Sequence, residues 1–226
     1  MEIEELSQGI FEIESDSQKV LATRNLTPGL NFYGEQLISI CGEEFRSWSP
    51  YRSKLAAAIL KGMEEVPLSP GDKLLYLGVA SGTTCSHISD IVGREGHIWA
   101  VDFAPRPLRD MIENLARHRM NISPILGDAR SPELYSAVVP RVDVIYADVA
   151  QPDQAAILAK NAIFLKQGGW AMMAVKSRSI DVARHPSSVY AEQIKVLETK
   201  GFEVTGMQEL EPYEKDHAMV VASYKA

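Results

Sequence analysis

Residues 74–103 read LLYLGVASGTTCSHISDIVGREGHIWAVDF, and this stretch decides the fold class. It runs from an apolar strand through a glycine-containing loop, a helix and a glycine turn into a second apolar strand that ends at Asp102. This order is typical of the first unit of a nucleotide-binding α/β fold. In that unit, loop glycines let backbone N–H groups approach a ligand, and an acid about 20 residues further on binds ribose hydroxyls. Ala80 stands between Gly78 and Gly82, where a G-x-G-x-x-G motif has its second glycine. The stretch therefore predicts an adenosine-type cofactor without specifying which one.

The composition is that of an ordinary globular protein. The chain has 226 residues, of which 46% are hydrophobic and 23% charged, enough for one substantial core and a small second domain. No apolar run approaches the roughly 20 residues that span a bilayer, and the N-terminus lacks the features of a signal peptide. Two cysteines, Cys41 and Cys85, make neither a disulfide framework nor a metal site. We expect a cytoplasmic protein that has no metal and no membrane partner.

The net charge of −7 limits what the chain can bind alone. Residues 1–52 hold nine acids and four bases, and no segment resembles a basic arm. Affinity for nucleic acid comes mainly from neutralising phosphates, so an RNA substrate would need partner proteins to hold it.

The first 50 residues differ in pattern from the rest. Short alternating segments separated by turns predict a small antiparallel β-domain over 1–50, with strands at 11–14, 19–22, 36–40 and 43–48. Ser49 as N-cap and Pro50 at the first helical position predict a helix over 51–65 that opens the second domain, 51–226.

From Lys73 onward, strand and helix patterns alternate, which predicts a mostly parallel sheet covered on both faces. The expected strands are 74–77, 97–101, 123–126, 142–147 and 170–175, and the expected helices are 83–92, 106–117, 133–138, 153–164 and 187–200. Two final strands, 202–210 and 218–223, have only a turn between them. They predict a terminal hairpin with one antiparallel strand, which a nicotinamide-binding Rossmann domain would not have.

Ionisable residues end several of these strands, at the sheet edge where α/β proteins bind ligands. We expect Asp102 to bind the cofactor's ribose and Asp128 its adenine amino group. Asp148, Lys176 and His217 form a candidate acid–base cluster, because ionisable groups gathered in a cleft are candidates for catalysis.

The chain contains several longer motifs: LGVASGTT (77–84), VIYADVAQ (144–151), AVKSRSID (174–181) and LEPYEKDHA (210–218), joined by RSKLAAAI (52–59) and PILGDAR (124–130). These motifs resemble the fibrillarin family of S-adenosyl-L-methionine-dependent RNA 2′-O-methyltransferases. The resemblance covers nearly the whole chain, with a looser N-terminal domain. It implies a Rossmann-like S-adenosylmethionine-dependent methyltransferase fold. Family members commonly carry Glu-Phe where this chain has Asp102-Phe103, and the missing glycine- and arginine-rich tail indicates the archaeal form.

The resemblance also implies a set of site residues. The implied catalytic positions are Lys54, Asp148, Lys176 and His217. Together with the glycine loop (Gly78, Ala80, Gly82), the implied cofactor contacts are Thr83, Thr84, Asp102, Phe103, Asp128, Ala129, Asp148, Val149, Ala150 and Gln151. By analogy, Lys176 is the expected general base. Asp148 is expected to orient it, and Lys54 and His217 to position the target ribose.

The implied partners are those of a box C/D ribonucleoprotein: a Nop-domain scaffold protein, a kink-turn-binding protein and a guide RNA. The expected target is rRNA, with tRNA as a second candidate, and a homodimer through the N-terminal domain stays open. The alternatives are a small-molecule O-methyltransferase, an NAD-dependent dehydrogenase and a non-catalytic cofactor-binding scaffold. A dehydrogenase should show G-x-G-x-x-G and no terminal hairpin.

Overall fold

The computed structural model describes residues 2–15 and 18–225. Two sheets dominate the structure. The first has five antiparallel strands in the order β1-β2-β3-β5-β4. Its strands are β1 Glu2–Ser7, β2 Ile10–Ser15, β3 Gln18–Arg24, β4 Leu37–Ile40 and β5 Glu43–Ser47.

Four of these strands coincide with the predicted segments, but β1 does not. Its sequence EIEELS is exposed along most of its length, so it has no buried apolar face to produce an alternating pattern. Backbone pairing with β2 holds it at the sheet edge. The strand therefore exists without the feature from which strands are predicted.

The second sheet has seven strands in the order β11-β12-β10-β9-β6-β7-β8. Its strands are β6 Lys73–Leu77, β7 His97–Asp102, β8 Ile122–Leu126, β9 Val142–Ala147, β10 Leu165–Lys176, β11 Phe202–Glu209 and β12 His217–Tyr224. β12 runs antiparallel to both neighbours, and the other pairs are parallel. The predicted mostly parallel sheet with a terminal antiparallel hairpin is confirmed.

Helices cover both faces of this sheet. They are α1 Lys54–Leu60, α2 Thr83–Val92, α3 Pro105–Asn114, α4 Gln154–Asn161, α5 Ser177–Ile180 and α6 Pro186–Glu198. Successive strand residues point to opposite faces, so Leu74 and Tyr76 join the core under α1, α2 and α3, whereas Leu75 and Leu77 join the core under α4 and α6. No helix in the described part of the chain has the length and apolar character needed to cross a bilayer.

Two predicted helices are wrong in extent. The helix expected over 51–65 runs only from Lys54 to Leu60, because Ser53 rather than Ser49 is its N-cap and Gly62, with φ of 90°, follows its end. The helix expected over 133–138 is a single 3₁₀ turn, Pro132–Leu134. Leu134 and Val138 are exposed there, so no continuous apolar face stabilises a longer helix.

A buried ionic network joins the first sheet to α2. The guanidinium group of Arg46, on β5, lies 2.7 Å from the Asp90 carboxylate and 2.5 Å from the Glu35 carboxylate. The guanidinium group of Arg119 lies 2.6 Å from the other carboxylate oxygen of Asp90. Two guanidinium groups thus balance two carboxylates out of contact with water. The domain boundary at residue 50 stays a prediction, and this network crosses it.

Candidate active site

The loop between β6 and α2 is shaped by close backbone packing. Gly78 has φ of 81°, and a Cβ atom on it would lie 2.8 Å from the backbone oxygen of Asp148. Ala80 also adopts a positive φ, of 51°, which is uncommon for a residue with a side chain. The loop therefore packs directly against the backbone that follows β9.

Asp102, at the end of β7, holds this loop in place. One carboxylate oxygen accepts a hydrogen bond from the Ala80 N–H at 2.7 Å, and the other accepts from the Ala104 N–H at 2.8 Å. The side chain is almost completely buried. Each oxygen keeps a second lone pair, so the predicted ribose contact remains chemically open.

A cavity of about 240 Å³ lies at the carboxyl ends of the parallel strands. Most of the predicted cofactor residues line it: Gly78, Ala80, Asp102, Phe103, Asp128, Ala129, Asp148, Val149, Ala150 and Gln151. Lys176 lines it as well. Its walls are largely apolar, with carboxylates at separate points, an arrangement suited to a planar base attached to a ribose.

Asp128 pairs with a neighbour that was not predicted. The Arg130 guanidinium lies 2.6 Å from its carboxylate, and hydrogen bonds from Arg130 hold the pKa of Asp128 below its usual value. An ionised carboxylate can only accept hydrogen bonds, which matches the predicted contact with an amino group.

Asp148 brings two lysines together at one end of the cavity. Its carboxylate lies 2.8 Å from Lys176 Nζ and 3.2 Å from Lys54 Nζ, and all three side chains are largely buried. Lys176 Nζ also donates to the Asp148 backbone oxygen at 2.9 Å. The oxygen facing Lys176, Oδ1, has no hydrogen-bond partner of suitable geometry in the described structure. Its contact with Lys176 is therefore an ion pair rather than a directed hydrogen bond.

His217 lies beside Lys176 because β12 and β10 pair these two residues directly. Its Nδ1 atom is 2.6 Å from the Lys215 backbone oxygen, a contact that makes Nδ1 the protonated nitrogen. Lys176 thus lies between Asp148, with which it forms an ion pair, and His217 on the neighbouring strand.

Three predicted cofactor residues lie outside the cavity lining: Gly82, Thr83 and Thr84. A Cβ atom on Gly82 would lie 2.7 Å from the Met111 side chain, so packing of α2 against α3 requires the glycine. The buried Thr84 hydroxyl donates to Ser53 Oγ at 2.9 Å. These contacts give both positions a structural role.

Several lining residues were not predicted, namely Val101, Ala104, Pro107, Gly127 and Ile157. Ile157 comes from α4, across the sheet edge from Phe103. Its place in the site depends on how α4 packs, which the sequence pattern does not contain. Pro107 could have been found, because it follows the acid that ends β7 by only five residues.

Together, the sheet order and the cavity at the strand ends define an α/β protein built to hold an adenosine-containing cofactor beside an Asp–Lys–Lys–His cluster. The model of the fibrillarin family matches residues 1–226. This chain belongs to the fibrillarin family.

Relatives and solved structures agree with that assignment. The chain is 57% identical over 210 residues to a protein of Thermococcus onnurineus (strain NA1) called fibrillarin-like rRNA/tRNA 2′-O-methyltransferase, covering 92% of each chain. It superposes with a TM-score of 0.89 and 51% identity on Aeropyrum pernix fibrillarin in complex with natively bound S-adenosyl-L-methionine, covering 98% of this chain and 99% of that one. A fibrillarin/Nop5p complex gives a TM-score of 0.88 and 40% identity over 99% of this chain and 100% of that chain. The fold is that of S-adenosylmethionine-dependent methyltransferases, as predicted.

Proposed function

We propose that this protein is an S-adenosylmethionine-dependent RNA 2′-O-methyltransferase that acts on rRNA, and on tRNA as a second target, within a guide-RNA-directed box C/D ribonucleoprotein. One observation carries the proposal: Asp148 gathers Lys54 and Lys176 at the end of a cavity suited to adenosine. The relatives' names supply the substrate class. Two of the alternatives, a dehydrogenase and a passive scaffold, do not require this cluster.

The residues present fit the cofactor. In this proposal Asp102 and Asp128, which line the cavity, supply carboxylate acceptors for the ribose and the adenine amino group, and the exposed Phe103 ring supplies an aromatic face. When bound, S-adenosylmethionine supplies a methyl group already activated for transfer by its positively charged sulfur.

What the protein must add is alignment and removal of a proton. Holding the ribose hydroxyl in line with the methyl carbon lowers the barrier by removing translational and rotational freedom, an effect worth several kcal/mol. In our proposal the neutral amine of Lys176 accepts the hydroxyl proton. The resulting ammonium is then held by the carboxylate oxygen Oδ1 and the backbone oxygen of Asp148, which lie 2.8 Å and 2.9 Å from Lys176 Nζ.

Lys54 and His217 take positioning roles in this proposal. Lys54 shares the Asp148 carboxylate and neutralises it from the other side, which keeps that carboxylate oriented. His217, with Nδ1 facing a backbone oxygen, has Nε2 available to the incoming ribose. Both side chains lie beside the cavity rather than in its wall.

The acidic chain needs partners to hold RNA. We propose a Nop-domain scaffold as the direct partner, since Nop5p assembles with a fibrillarin that shares this fold. A kink-turn-binding protein and a guide RNA complete the assembly, and guide–target base pairing then selects the nucleotide. This division of labour agrees with a net charge of −7.

Reconstitution tests the proposal. The chain, a Nop-domain protein, a kink-turn-binding protein, a guide RNA and S-adenosylmethionine are mixed with a matching target RNA, and modified riboses are mapped. We expect one 2′-O-methyl group at the guide-specified nucleotide and little methylation by the isolated chain. Strong site-specific methylation without partners, or methylation of a base, would contradict the proposal.

A further inference from the structure

A second cavity, of about 340 Å³, lies at the opposite end of the seven-stranded sheet. Three segments form it: the loop after β3, the turn before β7 and the segment before β8. The residues that line it are Leu26, Thr27, Arg94, Gly96, His97, His118, Arg119, Met120 and Asn121. It therefore lies at the junction of the two sheets.

This cavity is separate from the candidate active site. His97 begins β7 and Asp102 ends it, so the two residues are five residue steps apart along an extended strand. At about 3.3 Å per residue, they are roughly 17 Å apart. A group bound at His97 cannot be part of a cofactor bound at Asp102.

The lining is cationic in a chain of net charge −7. Two arginines and two histidines line the cavity, and none of its lining residues is acidic. Arg119 is already balanced by Asp90 in the buried network, whereas the exposed Arg94 forms no ion pair within the described residues. An anion entering here is attracted by Arg94 and meets no acidic lining residue.

Two polar groups at this cavity lack partners. The hydroxyl of Thr27 and the Nε of Arg119 are both buried, and neither has a hydrogen-bond partner in the described structure. The terminal nitrogens of Arg119 contact Asp90 at 2.6 Å, Asn25 at 3.2 Å and Ser89 Oγ at 3.4 Å, whereas its Nε–H has no acceptor within the described residues. Buried polar groups are nearly always satisfied, so these two atoms indicate a missing partner.

The histidines complete the set of groups. Burial and the nearby Lys73 charge lower the pKa of His97, so its ring is neutral near pH 7, and Nε2 lies 2.8 Å from Ser123 Oγ. His97 thus contributes hydrogen bonding rather than charge. His118 lies at the rim, next to the exposed side chain of Met120.

We propose that this cavity binds a phosphate group. Guanidinium, imidazole and hydroxyl donors are the groups that proteins use for phosphate oxygens. The Asp90 carboxylate, which pairs with Arg119, does not line the cavity. The phosphate belongs either to an RNA backbone or to free phosphate, and the two sources share this chemistry. An RNA source would give the complex a contact remote from the methylated ribose.

The first test measures thermal unfolding of the full chain in inorganic phosphate against chloride at matched ionic strength. At phosphate concentrations about tenfold above Kd we expect Tm to rise by about 2–4 °C beyond the chloride value. The double variant Arg94→Gln/His118→Gln should lose this rise, whereas Arg106→Gln/Arg109→Gln, exposed on α3, should keep it. An equal rise in all three proteins, or none, would overturn the proposal.

Thr27→Val provides a second test that does not alter charge. Valine removes a buried hydroxyl without a partner, so the variant should unfold at the same or a higher temperature in chloride. In phosphate its additional rise in Tm should be smaller than that of the wild type. A variant with an undiminished phosphate response would contradict a site that includes Thr27.

A third measurement identifies the source. Binding of a short single-stranded RNA is followed by fluorescence anisotropy at several salt concentrations. If the RNA backbone is the ligand, Arg94→Gln/His118→Gln should lower the slope of log affinity against log salt by about 0.7 per lost phosphate contact. If the slope is unchanged but phosphate raises Tm as expected in the first test, the ligand is free phosphate. If the slope is unchanged and phosphate does not raise Tm, the proposal is overturned.

Discussion

Thr84 shows how one side chain can act on the active site through another. The resemblance places it among the cofactor contacts, but its hydroxyl donates to Ser53, and Ser53 caps α1. Lys54 is the first residue of that helix and lies 3.2 Å from Asp148. The hydrogen bond from Thr84 therefore fixes the start of α1 and, with it, Lys54.

Replacing Thr84 by valine tests this positioning role. A lost buried hydrogen bond is worth about 1 kcal/mol, so the single-turnover methylation rate of the assembled complex should fall by roughly tenfold or less. Cofactor affinity should change less than the rate, and Thr84→Ser should restore the rate. If valine weakened cofactor binding and left the rate unchanged, Thr84 would be a cofactor contact instead.

His87 makes the stability of the protein depend on pH. Burial, reinforced by the charges of Arg46 and Arg119, lowers the pKa of His87 well below its usual value. The neutral ring lies 2.7 Å from the Thr23 hydroxyl and 2.6 Å from the Tyr33 hydroxyl. Below about pH 6.5 the unfolded chain binds a proton at this residue that the folded chain does not.

The free energy of unfolding should therefore decrease as pH falls from about 6.5, by up to about 1.4 kcal/mol per pH unit from this group. Urea unfolding at pH 7.5 and at pH 5.5 measures this decrease in the free energy of unfolding. His87→Gln should be less stable at pH 7.5 and show a smaller loss at pH 5.5 than the wild type. His185→Gln, at an exposed histidine, serves as control. An undiminished pH dependence in His87→Gln would contradict this account.

At the scale of secondary structure, predictions succeeded where residue pattern and packing agree. The helix over 83–92 was predicted with the bounds that it has, because Gly82 and Gly93 flank it. The β1 strand was not predicted, because backbone pairing at the sheet edge forms it. The extent of α1 was predicted wrongly, because the side-chain cap of Ser53 sets its start. Such contacts involve residues that the local pattern does not include.

The candidate active site shows the same difference between residues that the local pattern indicates and residues that it does not. Asp102, Asp128, Asp148 and Lys176 were found because the carboxyl ends of parallel strands meet at one edge. Lys54 lies on a helix 94 residues before Asp148, so only the family resemblance indicated it. The catalytic and cofactor roles of all these residues stay predictions.

The loop between β6 and α2 gives a prediction at this scale. In Gly78→Ala, the alanine would have to adopt the positive φ of 81° that Gly78 has. Its Cβ atom would also lie 2.8 Å from the backbone oxygen of Asp148. We expect a loss of about 1–3 kcal/mol in unfolding free energy and weaker cofactor binding, because β9 must shift. Gly34→Ala has a similar φ of 84° but open space around it, so it isolates the backbone strain. Equal losses in both variants would show that the contact with Asp148 does not matter.

At the scale of the whole molecule, the buried network determines how the two sheets associate. Arg46→Ala leaves Glu35 and Asp90 without one of their partners inside the protein. Breaking a buried pair on one side costs on the order of 3–5 kcal/mol. Arg24→Ala removes an exposed pair with Glu43 at 3.0 Å and should cost about 1 kcal/mol or less. Urea unfolding followed by far-UV circular dichroism compares them, and similar losses would contradict a structural role for the network.

The central claim is that Lys176, held by Asp148, accepts the proton from the ribose hydroxyl. Single-turnover methylation by the assembled complex, with cofactor saturating, tests it most directly. For Lys176→Ala we expect a rate about 10²–10⁴-fold below that of the wild type, with Lys200→Ala as an exposed control that retains the normal rate. Near-normal methylation by Lys176→Ala under these conditions would contradict the account.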